Sequence, residues 1–300
     1  MLSGVISYLI NNKIDFELDK DIKSLVSFKV GGFADIVIYP SRIEQIKGII
    51  DTLNVNKSKY FVLGNGTNTY FSDNGYNGAI ISTKLLKYAY VDGTNIIAQC
   101  GCNIHDCAAL AYEHGLSGME FTYGLPGCIG GCLYMNASAF NKDMSDIVEI
   151  TRVLNKDTGE ITEISSKDHK YSMKHSVFMD KKEYFILETV FKLSVGDKPT
   201  IKNQMDEYLE KRVNSQPLDL PSAGSVFKRP SVGFSSKYID DAGLKGKRIG
   251  DAMVSHKHAG FIVNMENASS KDINSLIEHI KKEVYNKYNV MLEEEIIYVE

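Results

Sequence analysis

Several things are scarce in this 300-residue chain, and each shortage closes off a class of protein. It lacks a charge excess, since 34 Lys plus Arg stand against 38 Asp plus Glu for a formal net charge of −4. Without a sustained basic block there is no electrostatic footprint for nucleic acid, and only a local pocket for a small anion stays open. It lacks any apolar run of the about 18 residues that a bilayer span requires. Residues 1–18 show no basic start followed by a long apolar stretch, and Asp15, Glu17, Asp19 and Lys20 add charge. Neither a secretion signal nor membrane insertion is expected, and the expected location is cytoplasmic.

Cysteines number only five, Cys100, Cys102, Cys107, Cys128 and Cys132, an odd count that fits reduced thiols better than a disulfide framework. Cys100 and Cys102 would share a strand face, and Cys128 and Cys132 a helix face. No C-x-x-C pairing occurs, and the seven histidines complete no ligand set, so no metal is expected. His256 and His258, bracketing Lys257, read as structural or substrate-lining. No internal repeat or low-complexity tract is present. What is there is a 43% hydrophobic chain with length for about two domains of 100–200 residues.

Hydrophobic periodicity predicts strands at 34–39, 60–63, 79–82 and 96–100, and helices at 43–53 and 104–114. Beyond these, a strand–turn–strand unit is expected at 148–164 around Asp157-Thr158-Gly159, with another strand at 184–193 and a helix at 201–213. Two of the six prolines, Pro217 and Pro221, interrupt the pattern and mark the main domain boundary. After them strands are expected at 223–227, 261–263 and 295–299, and helices at 236–242 and 271–288. The last spaces Ile273, Leu276, Ile277, Ile280 and Val284 along one face.

Two glycine-rich loops stand out. Gly64-Asn65-Gly66-Thr67-Asn68 directly follows the 60–63 strand, but Thr69 replaces the third glycine of a dinucleotide fingerprint, and no G-x-x-x-x-G-K-[ST] loop occurs. Taken alone, it is as much a tight turn as a phosphate cradle. The second loop, Gly124-Leu125-Pro126-Gly127-Cys128-Ile129-Gly130-Gly131, carries four glycines and reads as a backbone that passes close to a bulky ligand. Two such loops suggest a dinucleotide gripped across its pyrophosphate.

With these loops the chain resembles the UDP-N-acetylenolpyruvoylglucosamine reductase family, over nearly its whole length. The resemblance rests on Phe28-Lys29-Val30-Gly31-Gly32-Phe33-Ala34-Asp35, on both loops, and on Met135-Asn136-Ala137. It continues through Pro221-Ser222-Ala223-Gly224-Ser225-Val226-Phe227-Lys228-Arg229-Pro230, Val254-Ser255-His256-Lys257-His258-Ala259-Gly260-Phe261 and Leu292-Glu293-Glu294-Glu295. It implies an α+β fold: an FAD-binding fold of the p-cresol methylhydroxylase type in two subdomains, 1–82 and 83–199, followed by a C-terminal α/β substrate-binding domain, 200–300. The length resembles the shorter class of these reductases. The implied activity is reduction of a UDP-sugar enolpyruvate by NADPH through FAD in peptidoglycan precursor synthesis. The alternative is a diverged relative that binds FAD or a UDP-sugar with little turnover.

The resemblance also carries residue roles. Ser225 matches the proton donor and Glu295 the catalytic glutamate, with Glu294 standing where the family has proline. Lys174 stands at the catalytic arginine's place, where it keeps one charge but lacks the planar two-pronged grip of guanidinium. Gly64, Asn65, Gly66, Thr67, Asn68, Gly124, Pro126, Gly127, Cys128, Gly130, Gly131 and Asn136 are the implied cofactor-binding residues. Arg212, Lys228 and Arg229 are candidates for the UDP phosphates, while Ser215 takes the place of a common lysine.

Overall fold

A computed structural model of the chain describes residues 2–300. Helices and strands are interspersed along the chain, a mixed α+β fold, and the chain divides into two compact units. The first comprises Met1–Glu17, Ile36–Asn65 and Gly78–Lys211, and the second Leu18–Asp35, Gly66–Asn77 and Arg212–Glu300.

In the first unit, the strand Tyr60–Leu63 pairs in parallel with the 79–82 stretch of the strand Tyr76–Ser82. The helix Glu44–Val55 buries Ile46, Ile49, Ile50 and Leu53 in the same core as Val5 and Leu9 of the helix Leu2–Asn11. The larger part of this unit is a five-stranded antiparallel sheet. Its strands run in the order Ile161–Ser165, Val148–Asn155, Tyr184–Lys192, Asn95–Gln99, Ala89–Asp92. The expected turn closes its first hairpin: Gly159 has φ 73°, a left-handed value that favours glycine, and Asn155 Oδ1 accepts from the Asp157 and Thr158 amides. A core of Phe121, Phe191, Ile104, Ile129 and Leu133 joins the sheet to the helices Ile104–Glu113 and Ile129–Tyr134.

The second unit contains a four-stranded antiparallel sheet, ordered Ser222–Ser225, Phe261–Asn264, Ala252–Val254, Arg248–Ile249. The helix Ser270–Tyr288 buries the expected stripe of Ile273, Leu276, Ile277, Ile280 and Val284, each contributing about 1.5–3 kcal/mol of apolar transfer. Its start is fixed by a reciprocal bond pair between Ser269 and Asp272, and its end by Asn289 in the left-handed conformation.

The structure departs from the expected elements in two informative places. The end of the second glycine loop is helical from Ile129 on. The strand expected at 223–227 stops at Ser225: Val226 N still donates to Gly260 O, but Val226 O and Lys228 N bond with Glu295 N and Glu293 O. No helix among the described residues is long and apolar enough to cross a membrane.

Candidate active site

Gly64 and Asn65 of the first loop meet the second loop in the first unit, and cysteines fill the space between them. A Cβ on Gly64 would lie 2.3 Å from Cys128 Sγ, and one on Gly127 would lie 2.9 Å from Cys132 Sγ. One on Gly130 would crowd Cys100, at 3.1 Å from its Cβ and 3.2 Å from its carbonyl oxygen. These three glycines are therefore dictated by protein packing. Gly131 is different: it is exposed, and a Cβ there would meet only Cys128 Sγ, at 3.7 Å. The argument from four glycines narrows to Gly131, whose open face nothing in the chain requires, and Gly124, whose φ of 82° favours glycine.

Side-chain and main-chain bonds lock the loops together. Asn65 Nδ2 donates to Pro126 O at 3.0 Å and to Asn103 Oδ1 at 2.7 Å. The second loop is fastened by Ile104 N to Gly127 O at 3.0 Å, Ile129 N to Cys102 O at 2.9 Å and Gly130 N to Cys100 O at 2.8 Å. Burial pushes the Cys100, Cys128 and Cys132 thiols up, so they serve as small apolar fillers. Asn103 had drawn no attention in the sequence. The available signal was an Asn directly before a helical period, the place of a helix N-cap.

Lys174 lies on a two-residue turn closed by Ser172 N to His175 O at 3.1 Å and His175 N to Ser172 O at 3.2 Å. Its φ is 57°, a left-handed backbone that costs a lysine about 1–2 kcal/mol. Strain of this kind persists only where the surroundings over-determine it. Here the determinants come from the end of the second loop: Asn136 Nδ2 donates to Ser172 O at 3.0 Å, and Ser176 Oγ donates to Tyr134 O at 2.5 Å. Asn136 is only 2% exposed, and its Oδ1 accepts from Ser145 N at 3.2 Å. Its amide thus ties the second loop to the lysine turn. The Lys174 charge reaches Cys132, pulling that thiol down against the larger effect of burial.

In the second unit, Ser225 and Glu295 are brought onto neighbouring segments. Ser225 is exposed at the end of its strand, after Gly224 at φ 80° and before buried Val226. Glu295 N donates to Val226 O at 2.8 Å, and Lys228 N donates to Glu293 O at 2.8 Å. These bonds flank the Phe227–Glu294 pair, so the amide of residue 294 is outside the ladder and either proline or glutamate fits there. The Glu294 side chain pairs with Lys281 at 3.0 Å. Asn68 clamps the same segment: its Nδ2 donates to Glu295 O at 3.0 Å, and its carbonyl accepts from Ile297 N at 2.9 Å.

The cations expected at phosphates are placed unequally. Lys228 is half-buried and pairs at 3.3 Å with Glu293, and exposed Arg229 donates to Gly233 O and lies 4.2 Å over the Phe234 ring. Arg212 is 6% exposed and donates to Gln216 Oε1 at 3.3 Å. His258 Nδ1 accepts from Gly260 N at 3.1 Å, and the His256 ring fills the space beside Gly246. The described residues hold no cluster of three or more metal-ligating side chains.

A family model described as an FAD binding domain matches residues 34–165, and the model of the UDP-N-acetylenolpyruvoylglucosamine reductase C-terminal domain matches residues 216–299. The UDP-N-acetylenolpyruvoylglucosamine reductase of Clostridium novyi (strain NT) is 41% identical over 96% of this chain and 95% of its own length. This chain belongs to that reductase family. The reductase of Caldicellulosiruptor saccharolyticus is 40% identical over 95% of the chain and 92% of its own length. The crystal structure of UDP-N-acetylenolpyruvylglucosamine reductase from Thermus caldophilus matches with a TM-score of 0.81 at 27% identity, covering 96% of this chain and 99% of that one. The fold is accordingly the family's α+β FAD-binding fold. The second loop suits that cofactor: the open face at Gly131 and the left-handed backbone at Gly124 give a backbone-lined surface.

Proposed function

We propose that this protein reduces UDP-N-acetylglucosamine enolpyruvate to UDP-N-acetylmuramate, using NADPH and FAD, in peptidoglycan precursor synthesis. The observation that carries the reading is the juxtaposition of Ser225 and Glu295, the family's proton donor and catalytic glutamate by position, through the bond from Glu295 N to Val226 O. FAD, when bound, would supply the hydride chemistry between NADPH and the enolpyruvyl group. Gly131 and Gly124 let the main chain approach that cofactor. The remaining cofactor-binding assignments, Asn65, Thr67, Asn68 and Asn136 among them, include residues whose side chains or carbonyls also brace the site.

The chain must supply a proton and hold negative charge. Ser225 Oγ gives its proton to the ether-bearing carbon. A hydroxyl is a weak acid, and it suffices because the acceptor is a strongly basic carbanion and the donor is fixed at the end of a strand. Glu295, whose main chain is held at both N–H and C=O, directs its carboxyl to the charge that builds on the pyruvyl group. Lys174 offers one cation to the substrate carboxylate from a turn set by Asn136. Lys228 and Arg229, which follow Ser225-Val226-Phe227 in the chain, and the buried Arg212 are the cations for the UDP phosphates.

The assignment of 1–82 and 83–199 to two halves of the FAD-binding part, and of 200–300 to the substrate part, belongs to the same proposal. So does a cytoplasmic location, where NADPH is supplied. The purified protein is expected to carry flavin and to oxidise NADPH only when the enolpyruvyl UDP-sugar is present, giving a product heavier by two hydrogens. NADPH oxidation indifferent to that sugar, with no such product, would overturn the proposal.

A further inference from the structure

We propose that Cys102 and Cys107 form a peroxide-oxidisable dithiol, and that closing them into a disulfide loosens the protein's hold on FAD. The second clause rests on the FAD reading above. Both thiols line one cavity of about 380 Å³, together with Lys84, Lys87, Asn65 and Asn103. Cys100, Cys128 and Cys132 do not line it. The two side chains lie close enough to act on each other's titration, and Cys102 Sγ donates to Tyr88 O at 3.2 Å. Cys102 is the more exposed of the pair, 4% against 1%, so it meets an oxidant entering the cavity first and is the attacking sulfur, with Cys107 the resolving one.

The chemistry balances with hydrogen peroxide as the oxidant. The Cys102 thiolate attacks one peroxide oxygen, the O–O bond breaks, and one water leaves with a proton from solvent, giving a sulfenic acid. The Cys107 sulfur then attacks Cys102 Sγ, the S–O bond breaks, and a second water carries off the oxygen and the thiol proton. Two thiols lose two electrons, and one peroxide becomes two waters.

The consequence for FAD follows from what the Cys102 segment holds. Its carbonyl accepts from Ile129 N, the Cys100 carbonyl from Gly130 N, and Asn103 Oδ1 from Asn65 Nδ2. Those are the bonds that fasten both glycine loops. Drawing Cys102 onto Cys107, beside the first turn of the helix Ile104–Glu113, pulls on all three anchors together.

The test is graded hydrogen peroxide on the flavin-loaded enzyme, followed by alkylation, non-reducing peptide mass spectrometry, and the rate of flavin release by fluorescence. The expected result is a Cys102–Cys107 peptide short of two hydrogens and flavin release several-fold faster, both reversed by dithiothreitol. Cys107→Ser should abolish both effects and leave a dimedone-reactive sulfenic acid on Cys102. A link through Cys100, Cys128 or Cys132, no link at all, or a Cys102–Cys107 link with unchanged flavin release would each overturn the proposal. Flavin content before peroxide separates this outcome from failure of the functional reading, since a chain purified without flavin contradicts that reading and leaves the thiol chemistry to the mass spectrum.

Discussion

Ser225 and Glu295 in the second unit are held mainly by main chain, with one side-chain clamp from Asn68, whereas Lys174 and the glycine loops in the first rely on side chains added to their main-chain bonds. Val226 O, Glu295 N, Lys228 N and Glu293 O make a short ladder that any residues could make. The lysine turn depends on Asn136 and Ser176, and the loops depend on Cys128, Cys100 and Asn65. Where the backbone does the holding, a substitution removes chemistry and leaves geometry alone. Where side chains do it, a substitution moves the site.

The largest effect tests the first half of that contrast. Ser225→Ala should slow flavin reoxidation by the enolpyruvyl substrate about 10²–10⁴-fold while leaving flavin reduction by NADPH unchanged, with an unaltered melting temperature. Equal slowing of both half-reactions in stopped-flow would show that Ser225 also holds geometry.

In the first unit, Gly64→Ala drives a methyl into Cys128 Sγ and should cost about 1–3 kcal/mol of stability, with loss of flavin on gel filtration. Cys128→Ala removes the sulfur and leaves only its Cβ, 4.0 Å away, so the double variant should regain most of the loss. A double variant no better than Gly64→Ala would mean that the sulfur is not the obstacle.

Asn136→Ala removes one of two partners from the Ser172 carbonyl, which keeps His175 N, and from the Ser145 amide, which keeps Asp143 Oδ1. It should lower stability by about 1–2 kcal/mol and slow the substrate half-reaction about tenfold, through a displaced Lys174. Normal turnover at reduced stability would separate Asn136 from the lysine turn.

The smallest effect has opposite signs in two measurements. Lys174→Gly relieves the left-handed backbone and should raise stability by up to about 1 kcal/mol, while KM for the enolpyruvyl substrate rises with loss of the cation. A lower melting temperature would show that the lysine side chain also braces the turn.

Much of this was legible in the sequence wherever a local period decides it. The stripe from Ile273 to Val284 and the hairpin around Gly159 lie close to where periodicity and turn chemistry put them. The meeting of Ser225 with Glu295 was not legible from the residues, since it joins segments far apart in the chain. Only the resemblance to a family named those two. Glycine counting singled out a loop whose glycines the structure divides: Gly127 and Gly130 answer to Cys132 and Cys100, and Gly131 opens away from the chain. The sequence reads the cysteines as reduced thiols, and in the structure Cys100, Cys128 and Cys132 are buried between the loops. The Cys102–Cys107 contact depends on how the chain enters the helix Ile104–Glu113, which no spacing rule fixes.

The central claim is that one flavin links NADPH to an enolpyruvyl UDP-sugar on this chain. Anaerobic stopped-flow absorbance at the flavin band tests it most directly, with NADPH added first and UDP-N-acetylglucosamine enolpyruvate second. Bleaching by NADPH followed by full recovery with the sugar is the predicted result, and a flavin that bleaches but stays reduced in the presence of the sugar would contradict it.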